Sequence, residues 1–185
     1  MTAKIYGQEQ GKKALLVIDV QENLVNPASK MHMEKTGIDS FLNNVNKSID
    51  DFKARGLPVL YTVNEWSNPV LNWLTGNVCK KGGKGTGLDK RVRIVNDKVY
   101  VKSRMNVLTN KKLVSYLKDN SITELYITGL FAEACVKATV KAGIRNNYKV
   151  AVIEDAVGAK NRKKKTHSLK YYKRRGATLI STGQF

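Results

Sequence analysis

Histidine is almost missing from this chain: 185 residues contain only His32 and His167. Neither follows a strand-like run, so a nucleophile here would need a base other than imidazole, and no spaced set of His, Cys and carboxylates offers a metal site. Cysteine is equally scarce, with Cys79 and Cys135 far apart. That excludes a disulfide framework and suits a reducing cytosol. Long apolar runs are lacking too. The first, ALLVIDV at 14–20, carries an aspartate and is too short for a secretory signal, and nothing approaches the length of a membrane span. A P-loop is absent, because GGKGTG lacks the lysine–hydroxyl ending after a strand. The expectation is a cytoplasmic globular chain of one domain, 1–185, with no repeat, no linker and no membrane contact.

Acidic side chains are outnumbered 33 to 15, a net charge of +18. GAKNRKKKTHSLKYYKRRG (158–176) holds nine positive charges and no carboxylate, and KKGGKGTGLDKRVR (80–93) forms a second basic cluster. Such a field attracts nucleic acid or another anionic partner. The alternative is the solvated face of a helix whose inward stripe is Thr166, Leu169 and Tyr172.

What is present is alternation. Apolar runs at ALLVIDV, LPVLYTV (57–63), VYVK (99–102), ELYITG (124–129), YKVAVIED (148–155) and ATLIST (177–182) read as strands. Between them lie helical patterns, notably Ile38, Phe41, Leu42, Val45, Ile49 and Phe52, and the segments NKKLVSYLKDN, EACVKATVKAGIRNN and NRKKKTHSLKYYKRRG. Repeated βα units predict an α/β protein with an open parallel sheet between helices. Residues 64–97 are irregular and too long for an idle connection, which marks them as a lid or specificity segment.

Ligands of such sheets sit at the carboxyl ends of the strands. Asp19 follows the first strand, Lys102 ends the third, and Cys135 opens the helix after Gly129. Each alone has a bland reading: a turn cap, a surface lysine, a buried thiol. Together they bring a carboxylate, a cation and a nucleophile to one edge. A position in the first helical turn is expected to lower the thiol pKa. With no histidine at that edge, Asp19 is the candidate base.

LLVIDVQENLV, VYVKSR and ITGLFAEACVKATVKAGIRNNYKVAVIEDAV, in that order and spacing, resemble the isochorismatase-like cysteine hydrolases. That family includes nicotinamidases, carbamoylsarcosine amidase, biuret hydrolase and ureidoacrylate amidohydrolase. The resemblance runs from residue 13 to the end and is weakest across 64–97. It implies a three-layer α/β/α fold with a six-stranded, mostly parallel, Rossmann-like sheet. It assigns catalysis to Asp19, Lys102 and Cys135, and implies a cis Leu130–Phe131 peptide. The implied oxyanion hole is the N–H groups of Phe131 and Cys135.

The chain also departs from the family pattern. Nicotinamidases carry an Asp-x-His-type metal cluster after the second strand, where this chain reads TVNEWSNPV. Ala132 replaces a common threonine, and Met105, Asn106 and Val107 replace a frequent Ser-Ala-Phe, while Glu133 keeps the usual acidic position. Isochorismatase itself lacks the cysteine, so Cys135 favours amide cleavage.

The reading is therefore a metal-independent, cofactor-free cysteine amidohydrolase acting on a small amide, ureide or carbamoyl compound. Trp66, Trp73, Met105 and Phe131 are the expected apolar clamp around that substrate. A homo-oligomer is expected. The rivals are ester or vinyl-ether hydrolysis on the same scaffold, and a non-catalytic scaffold binding nucleic acid or an acidic partner.

Overall fold

A computed structural model describes residues 11–185. Six strands, β1 (Lys12–Ile18), β2 (Val59–Asn64), β3 (Val99–Lys102), β4 (Ile122–Gly129), β5 (Lys149–Val157) and β6 (Thr178–Ile180), form one sheet of order β3-β2-β1-β4-β5-β6. Every pairing is parallel. Strand order reverses direction between β1 and β4, which opens a crevice at their carboxyl ends.

The helices are α1 (Glu22–Val25), α2 (Ile38–Ala54), α3 (Pro69–Thr75), α4 (Lys111–Asp119), α5 (Lys137–Arg145) and α6 (Arg162–Arg174). Side chains of a strand alternate between faces, and β1 divides its apolar residues accordingly. Ala14, Leu16 and Ile18 join a core with Leu113, Leu117, Val136, Val140 and Tyr172 of the α4–α5–α6 side. Leu15 and Val17 join Phe41, Leu42, Val45, Ile49 and Phe52 of α2 on the other. With both faces covered, β1 is apolar from Ala14 to Ile18 and every residue of β2 is buried, the polar Thr62 and Asn64 included.

Charge follows the same division. Helices α4, α5 and α6 carry thirteen Lys or Arg against a single Asp, whereas α2 carries two Lys and three Asp. The basic excess of the helices therefore lies on one side of the sheet. The inward stripe of α6 differs from the expected one: Ser168 and Tyr172 are buried and Thr166 is exposed. Lys165, Ser168, Leu169 and Tyr172 keep the 3.6-residue period, and Thr166 falls off it. Among the described residues, no helix is long and apolar enough to cross a membrane.

The 64–97 segment is not idle. Gln21, fully buried after β1, donates to the backbone oxygens of Asn64 (3.1 Å) and Thr86 (2.6 Å). Its Oε1 accepts the Asn64 N–H at 2.8 Å. Asn64 opens the segment and Thr86 lies two-thirds along it, so one side chain ties both to the carboxyl edge of β1.

Candidate active site

Two backbone features deliver the chemistry to the crevice. Asp19 leaves β1 with φ at 51°, a left-handed conformation that turns its carboxylate off the strand line. On the neighbouring strand, Gly129 has φ at 114°, and a Cβ there would meet the Ile18 carbonyl oxygen at 2.0 Å. Only glycine allows that approach. The chain then runs through Leu130, whose N–H donates to Ile18 O at 2.8 Å, and Ala132, whose N–H donates to Gly158 O at 2.8 Å. The Leu130–Phe131 peptide is cis. Among the described residues, no protein acceptor takes the Phe131 N–H.

Cys135 does not sit in the first turn of an ordinary α-helix. Residues Ala132–Val136 form one wide turn, closed by the Val136 N–H donating to Phe131 O at 3.2 Å, and regular helix begins at Lys137. Two groups brace that turn: the Tyr172 hydroxyl donates to Ala132 O, and Thr139 Oγ1 donates to Cys135 O at 2.8 Å.

Asp19, Lys102 and Cys135 meet there. Lys102 Nζ lies 2.6 Å from Asp19 Oδ2 and 3.5 Å from Cys135 Sγ. Thr62 Oγ1 donates to Asp19 Oδ1 at 2.9 Å and fixes the carboxylate from its other side. The Asp19 and Lys102 side chains are each 1% exposed, so the pair is dry. Burial works against the charge on Lys102, but Asp19 and then Cys135 raise its pKa above the ordinary lysine value. The Cys135 thiol is pushed up, first by burial and then by the Asp19 carboxylate, with Lys102 opposing. The expected lowering of this thiol is thus reversed. Burial, with the carboxylate beside it, outweighs the nearby cation.

Asp19 and Cys135 open onto a cavity of about 540 Å³ whose walls include Leu24, Met31, Trp66, Leu71, Met105 and Phe131, with Lys102 buried behind them. Arg104, Lys160 and Lys164 stand exposed on its lining, with Glu133 between the last two. Glu133 Oε1 accepts the Lys160 N–H at 3.2 Å and lies 3.7 Å from Lys164 Nζ. A more open hollow of about 610 Å³ at the amino ends of β1 and β4 is lined by no Cys, Ser or Thr.

Of the four expected clamp residues, Trp66, Met105 and Phe131 line the cavity and Trp73 does not. Trp73 is 76% exposed. Helix α3, unforeseen in the sequence, turns Leu71 and Thr75 into the cavity, and a residue two positions after Leu71 lies across the helix. Trp66→Ala is expected to raise KM roughly tenfold by removing apolar contact with bound substrate, and Trp73→Ala to leave KM within about twofold. Steady-state kinetics on the pair checks this, and equal effects would refute the assignment.

Where the resemblance places the metal ligands of nicotinamidases, β2 ends at Asn64 and is followed by Glu65 and Trp66. Among the described residues no three His, Cys, Asp or Glu side chains group to hold an ion. This donor set does not fit a metal centre. His32 and His167 lie outside the cavity lining. Cys79 shares the cavity wall, and burial, then Asp19, pushes its thiol from 9.0 up to about 12.

These shifts fix an alkaline limit. Between pH 9 and 12 the unfolded chain gives up the Cys79 proton while the folded chain keeps it, so stability falls as pH rises. Cys135 acts with the same sign, and Lys102 adds to the loss above 10.5. The melting temperature is expected to fall above about pH 9, with a shallower fall in Cys79→Ala. A flat profile to pH 11 in the wild type would contradict these environments.

Fold and site together define a class: doubly wound α/β proteins with a buried carboxylate, ammonium and thiol at the carboxyl edge of the sheet. The chain belongs to the isochorismatase family of hydrolases, whose Isochorismatase domain matches residues 13–184. It is similar to the isochorismatase family protein YddQ of Bacillus subtilis, 28% identical over 144 residues covering 77% of this chain and 76% of that one. It is also similar to the ureidoacrylate amidohydrolase RutB of Pseudomonas syringae pv. syringae, 26% identical over 172 residues covering 79% and 70%. The N-carbamoylsarcosine amidase of Thermoplasma acidophilum shares the fold, with a TM-score of 0.78 at 24% identity over 94% and 98% of the two chains.

Proposed function

We propose that this protein is a cysteine-dependent amidohydrolase that cleaves the C–N bond of a small amide, ureide or carbamoyl compound through a thioester. The observation that carries the reading is the buried contact of Lys102 Nζ with both Asp19 Oδ2 and Cys135 Sγ. In this reading Asp19 takes the thiol proton as sulfur attacks the carbonyl carbon. Lys102 stays charged and holds the carboxylate and the forming thiolate. The Phe131 N–H, without a protein acceptor among the described residues, and the Cys135 N–H receive the oxyanion. Collapse breaks the C–N bond, and the amine leaves with the proton from Asp19. Water then attacks the thioester, Asp19 accepts its proton, and the carboxylic or carbamic acid departs as the thiol is restored. No step requires a metal or cofactor.

The cationic lining favours an anionic substrate. Arg104, Lys160 and Lys164 around an apolar cavity suit a planar amide with a carboxylate at the far end. Ureido acids have that shape, and two relatives are named for ureidoacrylate and N-carbamoylsarcosine. The test is ammonia release from N-carbamoyl amino acids, ureidoacrylate and nicotinamide by wild type and Cys135→Ala side by side. Equal release by both would remove the reading.

A further inference from the structure

Among the described residues, three buried side-chain oxygens have no hydrogen-bond partner: those of Asn64 (Oδ1), Asn72 (Oδ1) and Glu133 (Oε2). Asn72 uses its other end, donating from Nδ2 to Trp66 O at 3.0 Å, and Glu133 uses its second oxygen. Asn64 is different. It is 3% exposed and lines the cavity, and among the described residues neither end of its carboxamide has a protein partner. Its backbone, by contrast, is held on both sides by Gln21.

Its place in the sheet aims it at the reacting groups. Asn64 follows Thr62 by two residues, so both side chains share a face of β2, and Thr62 bonds Asp19. Lys102 is the register partner of Asn64 across the β2–β3 pair. An unpartnered amide therefore stands in the second strand beside the cation of the cluster. Leaving such a group buried and unpaired is unfavourable, and a ligand that pairs with it recovers the loss. A carboxamide with both ends open is matched by a group carrying a donor and an acceptor side by side, which an ester lacks.

We infer that Asn64 is the amide-recognition residue of this site, pairing its carboxamide with the –CO–NH₂ of a primary amide or urea and so selecting amides over esters. This rests on the reading that a small amide occupies the cavity, and it makes Asn64 a specificity-determining residue in direct contact with the substrate.

The test uses binding, so that it does not depend on turnover. In the Cys135→Ala background, calorimetry compares N-carbamoylglycine with N-(methoxycarbonyl)glycine, and nicotinamide with methyl nicotinate. The amide of at least one pair is expected to bind about tenfold or more tighter than its ester, and Asn64→Leu to reduce that ratio to within about threefold. Asn64→Ala serves the same purpose if leucine overfills the site. Because the Asn64 side chain bonds none of the described residues, the melting temperature of the leucine variant is expected to stay level or rise. A ratio unchanged by both substitutions would overturn the inference, as would binding of neither amide at millimolar concentration. Failure of the amidohydrolase reading shows separately: wild type would then release no Cys135-dependent ammonia from these amides while the binding ratio still responded to Asn64.

Discussion

Cys135→Ala is expected to lower kcat on the best amide by about 10⁴-fold or more while leaving the fold intact. Removing a nucleophile that acts as one unit with its base and oxyanion donors forfeits almost all the acceleration those groups supply together. Alanine is smaller than cysteine and apolar, and the site already buries the residue to 7% exposure, so the change removes one sulfur without stranding a polar group. Substrate affinity, measured by calorimetry, is expected to persist, because the apolar walls and the cationic rim are untouched. A kcat within tenfold of wild type would mean that sulfur is not the attacking atom.

Asp19→Asn is expected to remove activity and stability together. The neutral amide cannot take the thiol proton, so turnover falls by at least about 10³-fold. It also leaves the Lys102 ammonium in a dry site without its counter-charge. Breaking a buried pair by deleting one partner costs about 3–5 kcal/mol, more than the pair itself contributes. The double substitution Asp19→Asn, Lys102→Met removes the stranded charge and is expected to recover most of that stability and none of the activity. Urea denaturation of the three variants separates the effects. If the single variant unfolds at the wild-type midpoint, the pair is not the dry contact its 2.6 Å separation and 1% exposures describe.

The fold was legible because its strands are short apolar runs divided by helical periods, and two-sided burial of a parallel sheet demands that pattern. Asp19, Lys102 and Cys135 were legible for a related reason: each ends or follows such a run, and parallel pairing brings the carboxyl ends together. Helix α3 was missed although Asn68 caps it, Pro69 opens it and Gly76 closes it, because seven residues give too little periodicity to stand out. That omission is what misplaced Trp73. Thr62, Gln21 and Asn64 carry no local signal, since the partners of Thr62 and Gln21 lie 43 to 65 positions away. The direction of the Cys135 shift was misread because a place near a helix start says nothing about how deeply the turn is buried.

The central claim is a covalent bond to Cys135, and intact-mass analysis after rapid acid quench during turnover of an N-carbamoyl amino acid or nicotinamide tests it most directly. The account predicts an added mass equal to the acyl or carbamoyl fragment on the wild-type chain, localised to the peptide containing Cys135 and absent from Cys135→Ala. Steady turnover with no adduct on Cys135, or an adduct that persists in Cys135→Ala, would contradict it.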